Sequence, residues 1–225
     1  MCGKNPLEKK FRLKRLGYYF TCIVMIVREM TIKLSGMVEV KKLGLKYKIV
    51  SWTDLLVIKE VVVDGDYEKY GVSPSVKDKV IGDIGAAFGD WTIMTAKKFP
   101  QAVVYAFEPD KIYYAKLVEN CRLNQVNNVK PINIAVGSME ELKKYTGNRI
   151  DHLKCDCEGG EFKIFADKNR SQELRIKKIV MEFHESQQHR VQELERIFKN
   201  RFRVKIFPQR GVQGLGILTA KVKFV

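Results

Sequence analysis

The sequence is poor in residues that build covalently linked or metal-stabilised folds. It has three histidines, two tryptophans and five cysteines in 225 residues. The cysteines, Cys2, Cys22, Cys121, Cys155 and Cys157, are odd in number and form no disulfide framework. Cys155 and Cys157 make a C-x-C pair, but no second Cys or His pair stands at zinc-ligand spacing. A disulfide-stapled secreted domain and a structural zinc site are therefore disfavoured, and we expect a reducing, cytoplasmic environment.

A long apolar run is also missing. Residues 18–27 are mostly apolar and follow a basic stretch, but Arg28 and Glu29 end the run. About 20 apolar residues are needed to cross a bilayer, so we expect no transmembrane segment. No small-residue cleavage site follows either, which argues against a signal peptide. A buried strand or helix is the favoured interpretation.

Acidic residues are scarce relative to basic ones. The chain has 41 Lys and Arg against 26 Asp and Glu, which gives a formal net charge of +15. Such a field attracts anionic partners, including RNA, phosphorylated sugars and acidic membranes. Cationic surfaces also occur in thermophile proteins without a ligand, so the charge alone does not identify a partner.

The pattern of apolar residues divides the chain near residue 76. Residues 1–76 predict a basic N-terminal extension with short strands at 31–35, 37–40 and 45–50, and a short helix running into a strand over 52–63. Residues 77–225 alternate strands with helices. The predicted strands are 80–84, 102–107, 132–136, 150–155, 176–183, 203–207 and 216–225, and the helices 91–98 (with Asp90 as N-cap), 109–123 and 188–200. This alternation predicts an α/β domain with an open, parallel sheet and helices on both faces.

A glycine-bearing turn follows the first strand of that domain. Asp83, Gly85 and Gly89 form a D-x-G-x-x-x-G pattern, and Glu108 ends the next strand. Ligands of open α/β sheets bind outside the carboxyl ends of the strands, where Glu108 could accept hydrogen bonds from both ribose hydroxyls of an adenosine. A tight turn without a ligand is the structural alternative.

Two cofactor classes use this geometry. A dinucleotide places its pyrophosphate on the helix N-terminus, where the carboxylates of Asp83 and Asp90 would repel it. S-adenosylmethionine carries an ammonium and a sulfonium instead of phosphates. The electrostatics therefore favour S-adenosylmethionine over NAD.

Residues from about Trp52 to Phe207 resemble the FkbM-type S-adenosylmethionine-dependent methyltransferases. The matching segments are 80–89 (VIGDIGAAFG), 106–109 (AFEP), 134–137 (IAVG), 151–161 (DHLKCDCEGGE) and 181–184 (MEFH). The resemblance implies a class I, Rossmann-like methyltransferase fold with a mostly parallel seven-stranded sheet. It also implies cofactor contacts from Ala86, Pro109, Ala135 and Asp156. Residues 1–50 match no family pattern and leave the acceptor open.

The acidic segment after the fourth strand is the candidate catalytic element. Oxygen methylation needs a hydroxyl in line with the sulfonium and, usually, a base. Asp156, Glu158 and His184 are the catalytic candidates, with Glu161 as either a further candidate or a helix cap. The same four groups could instead hold Mg²⁺ or Mn²⁺, although we expect no metal.

The sequence thus predicts methyl transfer to an oxygen of a small molecule or sugar. The absence of an N/D-P-P-Y/F sequence argues against transfer to an amide or exocyclic amine, and Cys155 and Cys157 have no adjacent proline and are interpreted as packing residues. The alternatives are an RNA methyltransferase and a cofactor-binding protein without catalysis. Residues 196–210 interleave basic and aromatic side chains, which can bind single-stranded nucleic acid, although core packing of the phenylalanines is favoured.

Overall fold

A small N-terminal sheet and a large central sheet organise the described part of the protein, and a third sheet has two strands. The computed structural model describes residues 30–32, 36–166, 174–209 and 211–223. The strands, in chain order, are β1 (Met30–Ile32), β2 (Met37–Val40), β3 (Leu45–Lys48), β4 (Val80–Ile84), β5 (Val103–Phe107), β6 (Val129–Ile132), β7 (Arg149–Ile150), β8 (His152–Cys155), β9 (Arg175–Ile176), β10 (Lys178–His184), β11 (Phe202–Pro208) and β12 (Leu215–Val222). Strands β1 to β3 form the small antiparallel sheet, and β7 pairs with β9.

The central sheet has the order β11-β12-β10-β8-β4-β5-β6. The five strands from β10 to β6 are parallel. At one side β12 is antiparallel to β10, and β11 is antiparallel to β12 and so runs in the same direction as the five parallel strands. This arrangement confirms the predicted α/β fold with a mostly parallel seven-stranded sheet.

Six α-helices accompany the strands in the described part of the chain. They are α1 (Asp54–Val57), α2 (Asp90–Lys98), α3 (Lys111–Leu123), α4 (Met139–Thr146), α5 (Gly160–Phe165) and α6 (Val191–Phe198), and α1 continues as a π-helix over Ile58–Val63. Asp110 caps α3, because its side chain accepts hydrogen bonds from the amides of Ile112 and Tyr113. The N-cap of α2 is Gly89 rather than the predicted Asp90, which is the first helical residue.

The core lies in two layers, one on each face of the central sheet. Strand β5 shows why: Val104, Ala106 and Phe107 are completely buried, because both faces of a central parallel strand are covered. Helix α2 and the N-terminal segments cover one face, whereas α5 and α6 cover the other.

Two predicted strands are wrong. Residues 58–63 are helical, because Ile58, Val61 and Val62 lie on one face of the helix and are buried in the layer that contains α2. The strand expected at 132–136 is instead β6, which ends at Ile132. There the Asn133 side chain donates through Nδ2 to the carbonyl oxygens of Glu108 and Pro109, and the chain leaves the sheet.

The N-terminal sheet packs against the central domain through buried polar contacts. The Tyr47 hydroxyl donates to the carbonyl oxygen of Asp90, and the Asn120 side chain bonds both the amide and the carbonyl of Lys48. The domain boundary near residue 76 stays a prediction. Residues 18–27 lie outside the described part, and none of the described helices has the length and hydropathy needed to span a bilayer.

A buried histidine makes the fold sensitive to acid. His152 on β8 has no exposed surface, stacks on Trp91, and has no hydrogen-bond partner for either ring nitrogen within the described structure. Burial, aided by the charge of Lys178, lowers the pKa of His152 from 6.5 to about 3.

We expect the His152→Phe variant to lose part of the acid sensitivity of folding. In the wild type the neutral ring is fully compatible with folding above pH 6.5, and stability falls as the pH drops from 6.5 toward 3. Each pH unit in that window costs up to about 1.4 kcal/mol. Urea titrations between pH 8 and 4 should show that, below pH 6.5, the free energy of unfolding falls more steeply in the wild type than in the variant as the pH drops. A constant difference between the two proteins over this range would contradict the burial of an uncharged ring.

Candidate functional site

A cavity of about 480 Å³ opens at the carboxyl ends of β4, β5 and β8. Three of its lining residues, Val57, Val61 and Tyr67, come from the N-terminal part of the chain. The remainder comes from the strand ends and the loops that follow them: Ile84, Gly85, Ala87, Asp90, Phe107, Glu108, Pro109, Tyr113, Ile134, Ala135, Val136, Lys154, Asp156, Cys157, Glu158 and Gly160. This is where open α/β sheets bind ligands.

The glycine turn brings two strand-end loops into contact. Gly85 has a φ of +77°, and a Cβ atom there would lie 1.7 Å from the carbonyl oxygen of Asp156. Only glycine therefore allows the loop after β4 to meet the loop after β8 so closely. Gly89 also has a positive φ, +90°, but it borders Leu117 and Ile93 and does not line the cavity.

Glu108 is held at the cavity wall by backbone amides. Its Oε2 accepts from the amide of Ala87 at 2.8 Å, and its Oε1 accepts from the amide of Asp110 at 2.8 Å. Burial raises the pKa of Glu108, although the two amide bonds oppose the shift. Each carboxylate oxygen keeps a second lone pair for a ligand hydroxyl.

Asp83 supports the site from behind rather than lining it. Its Oδ1 lies 3.0 Å from Nζ of Lys154, and its Oδ2 accepts from the Thr92 hydroxyl at 2.5 Å. Burial alone would lower the pKa of Lys154, but the surrounding carboxylates, with Asp83 first, raise it. Lys154 also donates to the carbonyl oxygen of Gly85. Lys154 is therefore ionised, and Asp83 already balances its positive charge.

Asp156 is positioned by Tyr67, a residue from the N-terminal part of the chain. The Tyr67 hydroxyl donates to Asp156 Oδ2 at 2.7 Å, and the Tyr67 ring lies 5.2 Å from Nζ of Lys154. The parallel register pairs Met181 with Cys155, so Glu182 stands beside Asp156 on the neighbouring strand. Burial and then the charge of Asp156 raise the pKa of Glu182 to about 7.

His184 ends β10 among three carboxylates. Its Nε2 lies 3.4 Å from Glu158 Oε2 and 3.7 Å from Glu182 Oε1, and its Nδ1 lies 3.8 Å from Glu161 Oε1. His184, Asp156 and Glu158 can each bring a ligand atom within 4.8 Å of the others. This geometry suits proton transfer and also leaves open the Mg²⁺ or Mn²⁺ alternative.

Glu161 has a structural role. Its Oε2 accepts from the amide of Gly159 at 2.9 Å, and its Oε1 accepts from the amide of His184 at 2.7 Å. Both oxygens are therefore engaged, and the side chain is completely buried. Glu161 joins the start of α5 to the end of β10, as the helix-cap alternative anticipated.

The structure brings most of the sequence-predicted residues to the cavity. Of the cofactor and catalytic candidates, those in its wall are Gly85, Glu108, Pro109, Ala135, Asp156 and Glu158, whereas Asp83, Ala86, Gly89 and His184 lie behind or beside it. Sequence reasoning missed Tyr67, Lys154 and Glu182. Lys154 lies two residues before Asp156, and Glu182 lies two residues before His184. Because alternate residues of a strand face the same side, this spacing could have identified both. No local pattern marks Tyr67.

Part of the chain matches a known protein family. Residues 128–204 match the family model described as the methyltransferase FkbM domain. "Methyltransferase 1" of Beauveria bassiana (strain ARSEF 2860) is 30% identical over 79 residues, 35% of this chain and 30% of that protein. The tRNA(Phe) (4-demethylwyosine(37)-C(7)) aminocarboxypropyltransferase of Methanocaldococcus jannaschii is 29% identical over 128 residues, 57% of this chain and 51% of that protein. The chain thus spans at most about half the length of these relatives.

A solved structure shows the same fold. The crystal structure of M. jannaschii TYW2 in complex with AdoMet superposes with a TM-score of 0.52 at 20% identity, and the match covers 87% of this chain and 90% of that chain. At this identity the likeness concerns the fold alone. The match of residues 128–204 to this family model confirms the resemblance that the motifs indicated.

Proposed function

We propose that this protein is an S-adenosylmethionine-dependent methyltransferase that methylates a hydroxyl oxygen of a small molecule or sugar. The observation that carries the proposal is the placement of Glu108 and Asp156 in one cavity. Glu108 follows β5 and Asp156 follows β8, so the cavity extends between them across the end of β4. One carboxylate is available for a ribose, and the other for the group that receives the methyl.

The residues of the cavity fit S-adenosylmethionine better than a dinucleotide. Lys154 is the one Lys or Arg among the described lining residues, and Asp83 already neutralises it. A pyrophosphate would therefore meet Asp90, Glu108 and Asp156 without a free cation. A sulfonium and an ammonium are compatible with this negative surface. Glu108 would hold the ribose, and Gly85 leaves room between the two loops.

Asp156 is suited to act as the base. When bound, S-adenosylmethionine supplies an electrophilic methyl group. Tyr67 occupies Oδ2 of Asp156, and within the described structure Oδ1 has no hydrogen-bond partner, so Oδ1 is available to accept the proton of an acceptor hydroxyl. Tyr67 fixes the carboxylate orientation. Glu158 and His184, in mutual contact at 3.4 Å, stand next to it and could pass the proton toward solvent.

An RNA acceptor is the second candidate. It is favoured by the name of the M. jannaschii relative, which acts on tRNA(Phe), and by the net charge of +15. The carboxylates of Asp156, Glu158 and Glu182 oppose it, because their charges repel phosphates near the reacting group. A nucleic-acid acceptor would have to present its target far from its own backbone.

The Glu108→Ala variant should bind S-adenosylhomocysteine more weakly. Removal of a charged hydrogen-bond partner costs about 1–3 kcal/mol, which corresponds to roughly 5- to 150-fold in Kd. Isothermal titration calorimetry measures the change, with the exposed Glu195→Ala as the control variant. Unchanged affinity in a folded Glu108→Ala protein would remove the ribose assignment, and tight NAD binding without affinity for S-adenosylhomocysteine would refute the proposed cofactor.

The Asp156→Asn variant should separate chemistry from cofactor binding. Loss of a general base lowers turnover by about 10²- to 10⁴-fold. Donor affinity should stay nearly normal, because the base acts in the transition state. The measurements are formation of S-adenosylhomocysteine with a hydroxyl-bearing acceptor and calorimetric donor binding. Turnover equal to that of the wild type would show that Asp156 is a structural support.

The same variant should change the ionisation of Glu182. Its pKa of about 7 is due to burial and, next, to the negative charge of Asp156. Replacing Asp156 with Asn removes that charge, so the pKa of Glu182 should fall partway toward its ordinary value of 4.5. Carbon-13 NMR titration of the glutamate carboxyl groups measures the shift, and an unchanged titration would mean that the two carboxylates do not interact.

A further inference from the structure

A row of basic residues lies at the edge of the central sheet opposite the cavity. The parallel strands begin at this edge, and the cavity lies where they end. Basic residues stand immediately before or at the start of successive strands: Lys77, Lys79, Arg149, Arg175, Lys177, Lys178, Arg201 and, after the antiparallel β12, Lys223. We call this set, together with Lys97 and Lys98 at the end of α2, the basic edge.

Backbone hydrogen bonds place these residues side by side across the sheet. The carbonyl oxygen of Lys79 accepts from Val103 on β5, and the amide of Lys177 donates to Ile150 beside β8. The carbonyl oxygen of Lys177 accepts from Val222 on β12, and the amide of Lys223 donates to Arg201 before β11. The row therefore runs from β5 to β11, across six neighbouring strands. At about 4.8 Å per strand it is about 24 Å long.

The acidic residues at this edge are already paired. Asp78 contacts Lys178 at 2.5 Å, and Asp151 contacts both Arg149, at 2.7 Å, and Lys177, at 2.9 Å. Both carboxylates are buried.

Other cations of the basic edge are not paired with these two carboxylates. Lys77, Lys79, Lys97, Arg175 and Arg201 are exposed and have no carboxylate within ion-pair distance in the described part of the chain. Lysines at a helix C-terminus compensate the helix dipole, which accounts for Lys97 but not for the four cations outside helices.

We propose that the basic edge binds the sugar-phosphate backbone of a nucleic acid without reading its bases. A linear row of uncompensated cations about 24 Å long is complementary to a linear polyanion. An acidic membrane fits less well, since Val76 is the one large apolar side chain exposed beside the row among the described residues, whereas membrane binding also uses inserted apolar groups. The surface is an anchoring site separate from the cavity, and it does not depend on the proposed methyl transfer.

The test compares two variants of equal charge in the full-length chain. The edge variant carries Lys77→Gln, Lys79→Gln, Arg175→Gln and Arg201→Gln. The control variant carries Lys41→Gln, Lys42→Gln, Lys111→Gln and Lys144→Gln, all exposed and outside the row. Fluorescence anisotropy with a labelled 20-nucleotide oligouridylate, between 50 and 300 mM NaCl, gives the affinity and its salt dependence.

We expect the edge variant to bind at least tenfold more weakly at 100 mM NaCl. Its slope of log K against log salt should be smaller than that of the wild type by about 3, since each phosphate contact contributes roughly 0.7–0.9. The control variant should stay within about threefold of the wild type. The double variant Lys77→Gln, Lys79→Gln, which leaves β9 and β11 unchanged, should show about half the change in slope.

Three results would overturn the proposal. They are an equal loss in both four-site variants, which would mean diffuse attraction by net charge; no binding by the wild type at 50 mM NaCl; and binding to phosphatidylserine vesicles without binding to the oligonucleotide. Calorimetric binding of S-adenosylhomocysteine should be unchanged in every variant. That measurement separates failure of this proposal from failure of the proposed methyltransferase function.

Discussion

The buried ion pair between Lys154 and Asp83 supports the whole candidate site. Only 3% of the Lys154 side chain and none of Asp83 is exposed, so both charges have lost their hydration. Desolvation on this scale costs several kcal/mol per ion and is offset by the 3.0 Å contact and by bonds to the Thr92 hydroxyl and the Gly85 carbonyl. The pair joins β8 to β4, whose following loops carry Asp156 and Gly85. Loss of either partner would leave an unpaired buried charge, at a cost of about 3–5 kcal/mol.

Lys154 is the one cation among the described lining residues, and it is paired with Asp83. Burial raises the pKa of Asp90 and of Glu182 to about 7, and the charge of Lys154 opposes this shift only in part. The negative cavity and the basic edge lie at opposite ends of the same parallel strands. The net charge of +15 therefore does not describe the cavity, and a prediction from net charge alone would assign the cavity the wrong sign of charge.

The parts of the fold that local pattern determines were predictable from the sequence. The apolar run at 102–107 belongs to a strand buried on both faces, and the spacing from Gly85 to Glu108 follows from a strand-helix-strand unit. Residues 58–63 were predicted wrongly because β-branched residues favour strands, whereas their burial at helical spacing decides the conformation. Asn133 ends β6 through bonds to the preceding strand end, which no local pattern reveals. The assignment of catalytic and cofactor residues stays a prediction.

Tyr67 shows why the candidate site could not be derived completely from the central domain. Its contact with Asp156 joins residues 89 positions apart, and a contact of that range depends on how α1 and the π-helix pack against α2. Val57 and Val61, on those same helical turns, also line the cavity. The segment before residue 76 therefore orients the proposed base and closes one wall of the cavity. A methyltransferase unit defined only by the motifs of the central sheet would lack both.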